Sequence, residues 1–193
     1  MKKDIILAGV GGQGVLSIAA IIARAAVDSG FAVRQSEVHG MAQRGGAVLA
    51  HLRISDEAIP SDLVPQGGAD LIIAMEPLES LRYAVWLSPQ GALVTATEPF
   101  VNIPDYPEID SIVAVIKRFP QYRLVEAAEL AKKAGHPRTV NMVMVGAASP
   151  FLPILAETLE NTITAMFAAK APDIAEANSK AFNLGRATAG AAQ

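Results

Sequence analysis

Two glycine-bearing stretches hold the groups best suited to chemistry. The first, "GVGGQGV" (Gly9–Val15), puts Gly9, Gly11 and Gly14 in G-x-G-x-x-G spacing between the apolar run "DIILA" and the helix-like "LSIAAIIARAA". In that strand-to-helix setting glycines permit a tight turn, and backbone N–H groups can approach a diphosphate at the positive end of the helix. Gly12 and Gln13 complete the loop, where the Gln13 amide either reaches a ligand or closes the turn. The same spacing also serves close strand–helix packing with no ligand at all. The second stretch, "SEVHGMAQRGGAV" (Ser36–Val48), carries Ser36, Glu37, His39, Gly40, Gln43, Arg44, Gly45 and Gly46. Glu37 falls where a dinucleotide fold places an acid for a ribose hydroxyl. The Arg44 guanidinium either holds phosphate or carboxylate with two parallel bonds, or pins the loop by pairing with Glu37. His39 either donates to a carbonyl or diphosphate, or is structural.

Elsewhere the chemistry thins out. The chain has no cysteine, which removes disulfides, thiol nucleophiles and cysteine-ligated iron–sulfur clusters from it. No His/Asp/Glu spacing matches a metal-ligand pattern, and Ser17, Ser36 and Ser61 lack a nucleophile elbow. His51 alternates with Leu49 and Arg53 as a strand residue, and His136 precedes a proline in a turn. Asn141 puts a polar amide into the apolar helix pattern "TVNMVMVGAA", where Gly146 marks a close-packing surface; that amide must find a partner in this chain or another. Met142, Met144 and Met166 read as core or interface filler. The candidate set is therefore one of binding residues, with neither a catalytic side chain nor a metal ligand expected.

These loops need a scaffold, and the hydrophobic pattern supplies one. "KDIILAGV" is a buried-type strand, and "VLSIAAIIARAAVDSG" is a helix pattern closed by Gly30. "FAVRQSE" and "GAVLAHLRIS" alternate as strands, and "ADLIIAM" is again of the buried type. Pro77 opens a helix over 77–88, as a proline at the first helical position should. "GALVTAT" and "YRLVEA" are further strands, with helices expected over 108–118, 126–134, 138–148, 153–169 and 173–188. "ATEPFVNIPDYPE", with three prolines, reads as a surface loop. Strands alternating with helices predict an α/β, Rossmann-like, doubly wound and mostly parallel sheet with a helical C-terminal part, in one domain over 1–193.

Composition narrows the partners. Of the 193 residues 51% are hydrophobic and 18% charged, enough for a core with an apolar face left for a partner. The net charge is -3 with no basic run beyond "KK" and "KR", which argues against a nucleic-acid backbone. The apolar run after "MKK" is broken by glycines, and the helix that follows carries Arg24 and is short for a bilayer, so cytoplasm is the expected compartment and no membrane contact is expected.

Gly11-Gly12-Gln13-Gly14 together with Arg44-Gly45-Gly46 resembles the gamma-type subunit or domain of the 2-oxoacid:ferredoxin oxidoreductases. His39-Gly40-Met41-Ala42-Gln43 before Arg44, and the segment Ser61–Tyr83, are similar to the indolepyruvate branch of that family. Relatives that act on pyruvate or 2-oxoglutarate commonly carry a Tyr-Gly-Pro-Glu type of segment where Val38-His39-Gly40-Met41 stands here. The resemblance implies oxidative decarboxylation of an aryl pyruvate with coenzyme A, giving an aryl-acetyl-CoA, carbon dioxide and reduced ferredoxin. It further implies that thiamine diphosphate, magnesium and iron–sulfur clusters reside in a large alpha subunit, and that this chain completes the active site and is inactive alone. Coenzyme A phosphates cradled by the glycines and Arg44 are the physical inference from the loops. Isolated from the complex, the chain has a second copy of itself as an available partner.

Overall fold

The computed structural model describes residues 1–39, 45–168 and 172–188. Six strands form one sheet in the order β2-β3-β1-β4-β5-β6: β1 (Lys2–Val10), β2 (Ala32–His39), β3 (Ala47–Ser55), β4 (Ala69–Ala74), β5 (Leu87–Ala96) and β6 (Gln121–Val125). β1, β4, β5 and β6 pair in parallel. β3 is antiparallel to both of its neighbours, β1 and β2.

Side-chain alternation along the strands builds a core on each face. Ile5 and Leu7 of β1, with Leu71 and Ile73 of β4, face one helical layer. That layer comprises α1 (Val15–Asp28), α4 (Ala127–Ala134), α5 (Val140–Ala148), α6 (Ala156–Ala168) and α7 (Pro172–Ala187). Ile6, Ala8 and Ile72 face the other way, against α2 (Pro77–Arg82) and α3 (Ile109–Ile116). α1 forms because Val15, Ile18, Ala19, Ile22, Ala25 and Ala26 recur at helical spacing and bury one stripe; Gly30, at φ 86°, lets the chain turn back into β2. At the crossing of α5 and α7 a Cβ on Gly146 would lie 2.0 Å from the Phe182 carbonyl oxygen, and one on Gly185 would lie 2.0 Å from that of Val143. The close-packing surface expected at Gly146 is therefore real, and it needs glycine on both helices.

The end of the sheet remote from the strand carboxyl termini is locked by a buried ion pair. Asp4 and Arg53 stand opposite each other in the β1–β3 register. Arg53 Nε donates to Asp4 Oδ1 at 2.8 Å, and its Nη1 donates to the Ser61 and Leu63 carbonyls at 2.9 and 3.0 Å. Val64 N–H donates to His51 Nδ1 at 3.2 Å, and burial, assisted by the Arg53 charge, lowers the His51 pKa. His51 is thus a partnered strand residue.

Four expectations need correction. β2 does not lie beside β1, because the chain turns straight back and lays β3 between them; a hairpin needs no crossover helix, so strand–helix alternation fails there. The helix expected over 77–88 ends at Arg82, and after a 3-10 turn at Ala84–Trp86 the chain enters β5 at Leu87. The helices expected over 138–148 and 153–169 begin later, each preceded by a 3-10 turn, at Pro137–Thr139 and Ser149–Phe151.

Candidate functional site

α1 carries the chain from β1 toward β2, whereas the elements after β4 carry it toward β5 and β6, so the winding reverses between β1 and β4. In sheets of this kind ligands bind outside the strand carboxyl ends at that reversal. A cleft of about 480 Å³ lies there. Gly12–Gly14 after β1, Met75 after β4 and Ala96–Phe100 at the end of β5 form its walls, excepting Thr97, with Ala128, Pro137, Arg138, Val140 and Asn141 closing the far side.

Each wall has a local cause. Gly12 and Gly14 adopt φ of 102° and 81°, left-handed values that suit glycine, and Gly14 caps α1. A Cβ on Gly9 would come within 2.8 Å of Val15 Cγ2, so this glycine serves close packing. Gln13 braces the loop: its Oε1 accepts from Val10 N–H at 2.7 Å and its Nε2 donates to the Met75 carbonyl at 3.3 Å. Arg138 follows Pro137 in the 3-10 turn leading into α5, and it is the one cation lining the cleft among the described residues. Asn141 Oδ1 accepts from Met142 N–H at 3.2 Å, while its Nδ2 faces Gly14. Glu98 Oε1 accepts from Ala128 N–H at 2.9 Å and so is committed to the start of α4. The N-terminal turn of α1 opens on the same wall. An anionic group with an apolar flank fits this combination of Arg138, the start of α1, Met75 and Phe100.

The two glycine stretches meet, as the sequence suggested, but not as a dinucleotide fold would have them. Gly11 N–H donates to the Gly46 carbonyl at 2.8 Å and Gly45 N–H to the Gly11 carbonyl at 3.4 Å. The Gly11 N–H is consequently spent on the second loop rather than offered to a diphosphate. Ser36, Glu37 and His39 pair with His51, Ala50 and Val48 on the edge strand β2. With β3 interposed, Glu37 stands two strand spacings, about 9.5 Å, from β1, too far to serve a ribose beside the first loop. Gly40, Gln43 and Arg44 lie outside the described residues.

Beneath the cleft sits a pair of buried acids that the sequence reading passed over. Glu76, 1% exposed, caps α2 by accepting from Glu79 N–H at 2.8 Å through Oε2. Its Oε1 accepts from Phe100 N–H at 3.3 Å and from the Tyr106 hydroxyl. An acid, Pro77 and a second acid three residues on is a helix-start signature, so Glu76 was findable as a cap; its hold on a loop 24 and 30 residues away was not. Glu79 accepts from Arg82 Nε at 3.0 Å, but its Oε2 is buried without a partner among the described residues. Burial raises the Glu79 pKa, against the opposing pull of Arg82. A carboxyl whose folded pKa is raised destabilises the fold progressively as pH climbs above its ordinary value of 4.5. Glu79→Gln is therefore expected to melt above wild type at pH 7–8, with the difference vanishing below about pH 4.5; thermal melts across pH 4–8 check this.

An α/β fold wound to both sides of its sheet, with a cleft at the reversal, is the class these features define. A family model described as pyruvate ferredoxin/flavodoxin oxidoreductase matches residues 4–188, and the chain belongs to that family. It is a subunit of the 2-oxoacid:ferredoxin oxidoreductases, which use an iron–sulfur protein as acceptor. Indolepyruvate oxidoreductase subunit IorB of Archaeoglobus fulgidus is 39% identical, the alignment covering 96% of this chain and 94% of the relative. 2-Oxoglutarate synthase subunit KorC of Methanothermobacter marburgensis is 31% identical, covering 96% of each. The fold is shared with 2-oxoglutarate:ferredoxin oxidoreductase of Magnetococcus marinus, solved with 2-oxoglutarate, coenzyme A and succinyl-CoA bound (TM-score 0.79, 24% identity). All of this chain is covered there but 32% of that polypeptide, so it spans about a third of the larger protein's length.

Cysteine-ligated iron–sulfur clusters do not fit the residues of this chain, and a metal site does not fit the described ones. It has no cysteine, and among the described residues no three His, Asp or Glu side chains are grouped to hold a metal. No reaction step is assigned to it through those groups. Among the described residues no helix is long and apolar enough to cross a membrane.

Proposed function

We propose that this chain completes the active site of an indolepyruvate:ferredoxin oxidoreductase and presents its cleft to the phosphates of coenzyme A. The reaction is oxidative decarboxylation of indolepyruvate to indoleacetyl-CoA and carbon dioxide, with electrons passing to ferredoxin. In this reading a large partner subunit carries thiamine diphosphate, magnesium and the iron–sulfur clusters, and the chain alone is colourless and inactive. The indolepyruvate assignment is supported by the higher identity to the IorB relative than to the KorC relative.

The observation that carries the proposal is the convergence of Gly12–Gly14 and Arg138 on one cleft at the strand carboxyl ends. Diphosphate needs N–H donors and a cation, while the apolar flank of Met75 and Phe100 suits the less polar remainder of the ligand. Arg44, Gly45 and Gly46 are proposed to close the same ligand from the second loop, and Arg44→Ala is expected to act in the same direction as loss of Arg138. A charge-assisted hydrogen bond contributes roughly 1.5–3 kcal/mol, so in the reconstituted enzyme Arg138→Gln raises the KM for coenzyme A about ten- to a hundred-fold. The KM for the 2-oxoacid stays near wild type. Steady-state kinetics against both substrates checks this, and an unchanged coenzyme A dependence would reject the role of Arg138.

A further inference from the structure

The segment from Pro99 to Asp105 is exposed along its whole length, so burial does not hold it, and yet it supplies Phe100 to the cleft wall. Its fixed points are polar. Glu76 Oε1 takes both the Phe100 N–H and the Tyr106 hydroxyl, and Asn102 Nδ2 donates to the Gly45 carbonyl at 2.8 Å. Gly45 and Gly46 are in turn bonded to Gly11.

We propose that Glu76 is a positioning residue for the cleft: by gripping both ends of the 100–106 loop it holds Phe100 in the cleft wall and, through Asn102, restrains Gly45 of the second glycine stretch. The physical basis is that a buried carboxylate must keep its donors. Glu76 has three, of which Glu79 N–H belongs to its own helix and the other two to this loop. The grip therefore carries a stronger restraint than an exposed loop could maintain by itself, and one acid beneath the sheet end ties this loop, through Asn102, to Gly45. For its consequence in catalysis this rests on the cleft facing coenzyme A; for its geometry it does not.

Tyr106→Phe separates the two, because it removes the hydroxyl while leaving the cap on α2 and the ring in place. Hydrogen exchange on the full chain, read by mass spectrometry, is expected to speed about tenfold in peptides covering 98–106 and also in those covering Gly45 and Gly46, with α2 unchanged. Asn102→Ala is expected to speed exchange at Gly45–Gly46 alone. In the reconstituted enzyme Tyr106→Phe raises the KM for coenzyme A about fivefold at unchanged kcat. Glu76→Gln, whose single amide oxygen accepts from the loop or from the cap of α2 but not from both, recovers only part of what Glu76→Ala loses. Faster exchange confined to 98–106, or no change in either region, would overturn the proposal whatever the kinetics. If exchange responds in both regions while the coenzyme A KM does not move, the grip stands and the assignment of the cleft to coenzyme A falls.

Discussion

Arg53→Met is expected to lower the stability of the fold by about 3–5 kcal/mol, the cost of removing one partner from a buried ion pair. Asp4 is fully buried and Arg53 nearly so, and the guanidinium also serves the Ser61 and Leu63 carbonyls, so the substitution strands a charge and two acceptors at once. Lys2, half exposed, is the remaining cation on Asp4 and compensates only in part. For a chain of this size the loss corresponds to a fall in Tm of roughly 6–20 °C. Adding Asp4→Leu to Arg53→Met removes the stranded charge and is expected to recover part of that fall. Thermal unfolding of the single and double variants checks both statements. Because the pair lies at the end of the sheet remote from the cleft, ligand affinity in the surviving fold should stay near wild type.

Gly146→Ala has the other large effect, and it arises from steric contact rather than charge. The added methyl would meet the Phe182 carbonyl at 2.0 Å and the Arg186 backbone nitrogen at 2.8 Å, and neither backbone can move without separating α5 from α7. Overpacking of this sort costs about 3 kcal/mol or more, which denaturant melts should register. Gly12→Ala is the control: it bears a left-handed φ but nothing lies within 4 Å, so only the backbone conformation is penalised, by roughly 1–2 kcal/mol. Since α5 begins at the cleft with Val140 and Asn141, Gly146→Ala is also expected to weaken ligand binding, whereas a variant confined to the α7 surface would not.

The contrast between these glycines shows what was legible in the chain. Apolar periodicity located β1, α1, β4 and α7 because each buries a stripe or a face whose spacing is written locally. Gly146 in an apolar helix advertised a close crossing, although its partner Gly185 could be known only once α7 had docked. The position of β3 was hidden because pairing partners are not encoded by a strand's own alternation. Yet the polar face of β3, with His51 and Arg53 alternating with buried Ala50, Leu52 and Ile54, is explained by Asp4 opposite it. At the candidate site, the first glycine loop was legible from spacing and context. Arg138 and Glu76 were not, since a cation after a proline and an acid before one read locally as cap residues, and their meaning comes from loops brought beside them by the sheet. Glu37 shows the complementary limit: its distance in sequence suited a ribose, and the strand that stands between it and β1 could not be read from that distance.

The most direct test of the proposed role is a calorimetric titration of coenzyme A into three samples: the large partner subunit alone, its complex with this chain, and its complex with the Arg138→Gln chain. The wild-type complex is predicted to bind coenzyme A at least tenfold more tightly than the large subunit alone, with Arg138→Gln losing most of that gain. Equal affinity in all three samples would contradict a coenzyme A role for this cleft.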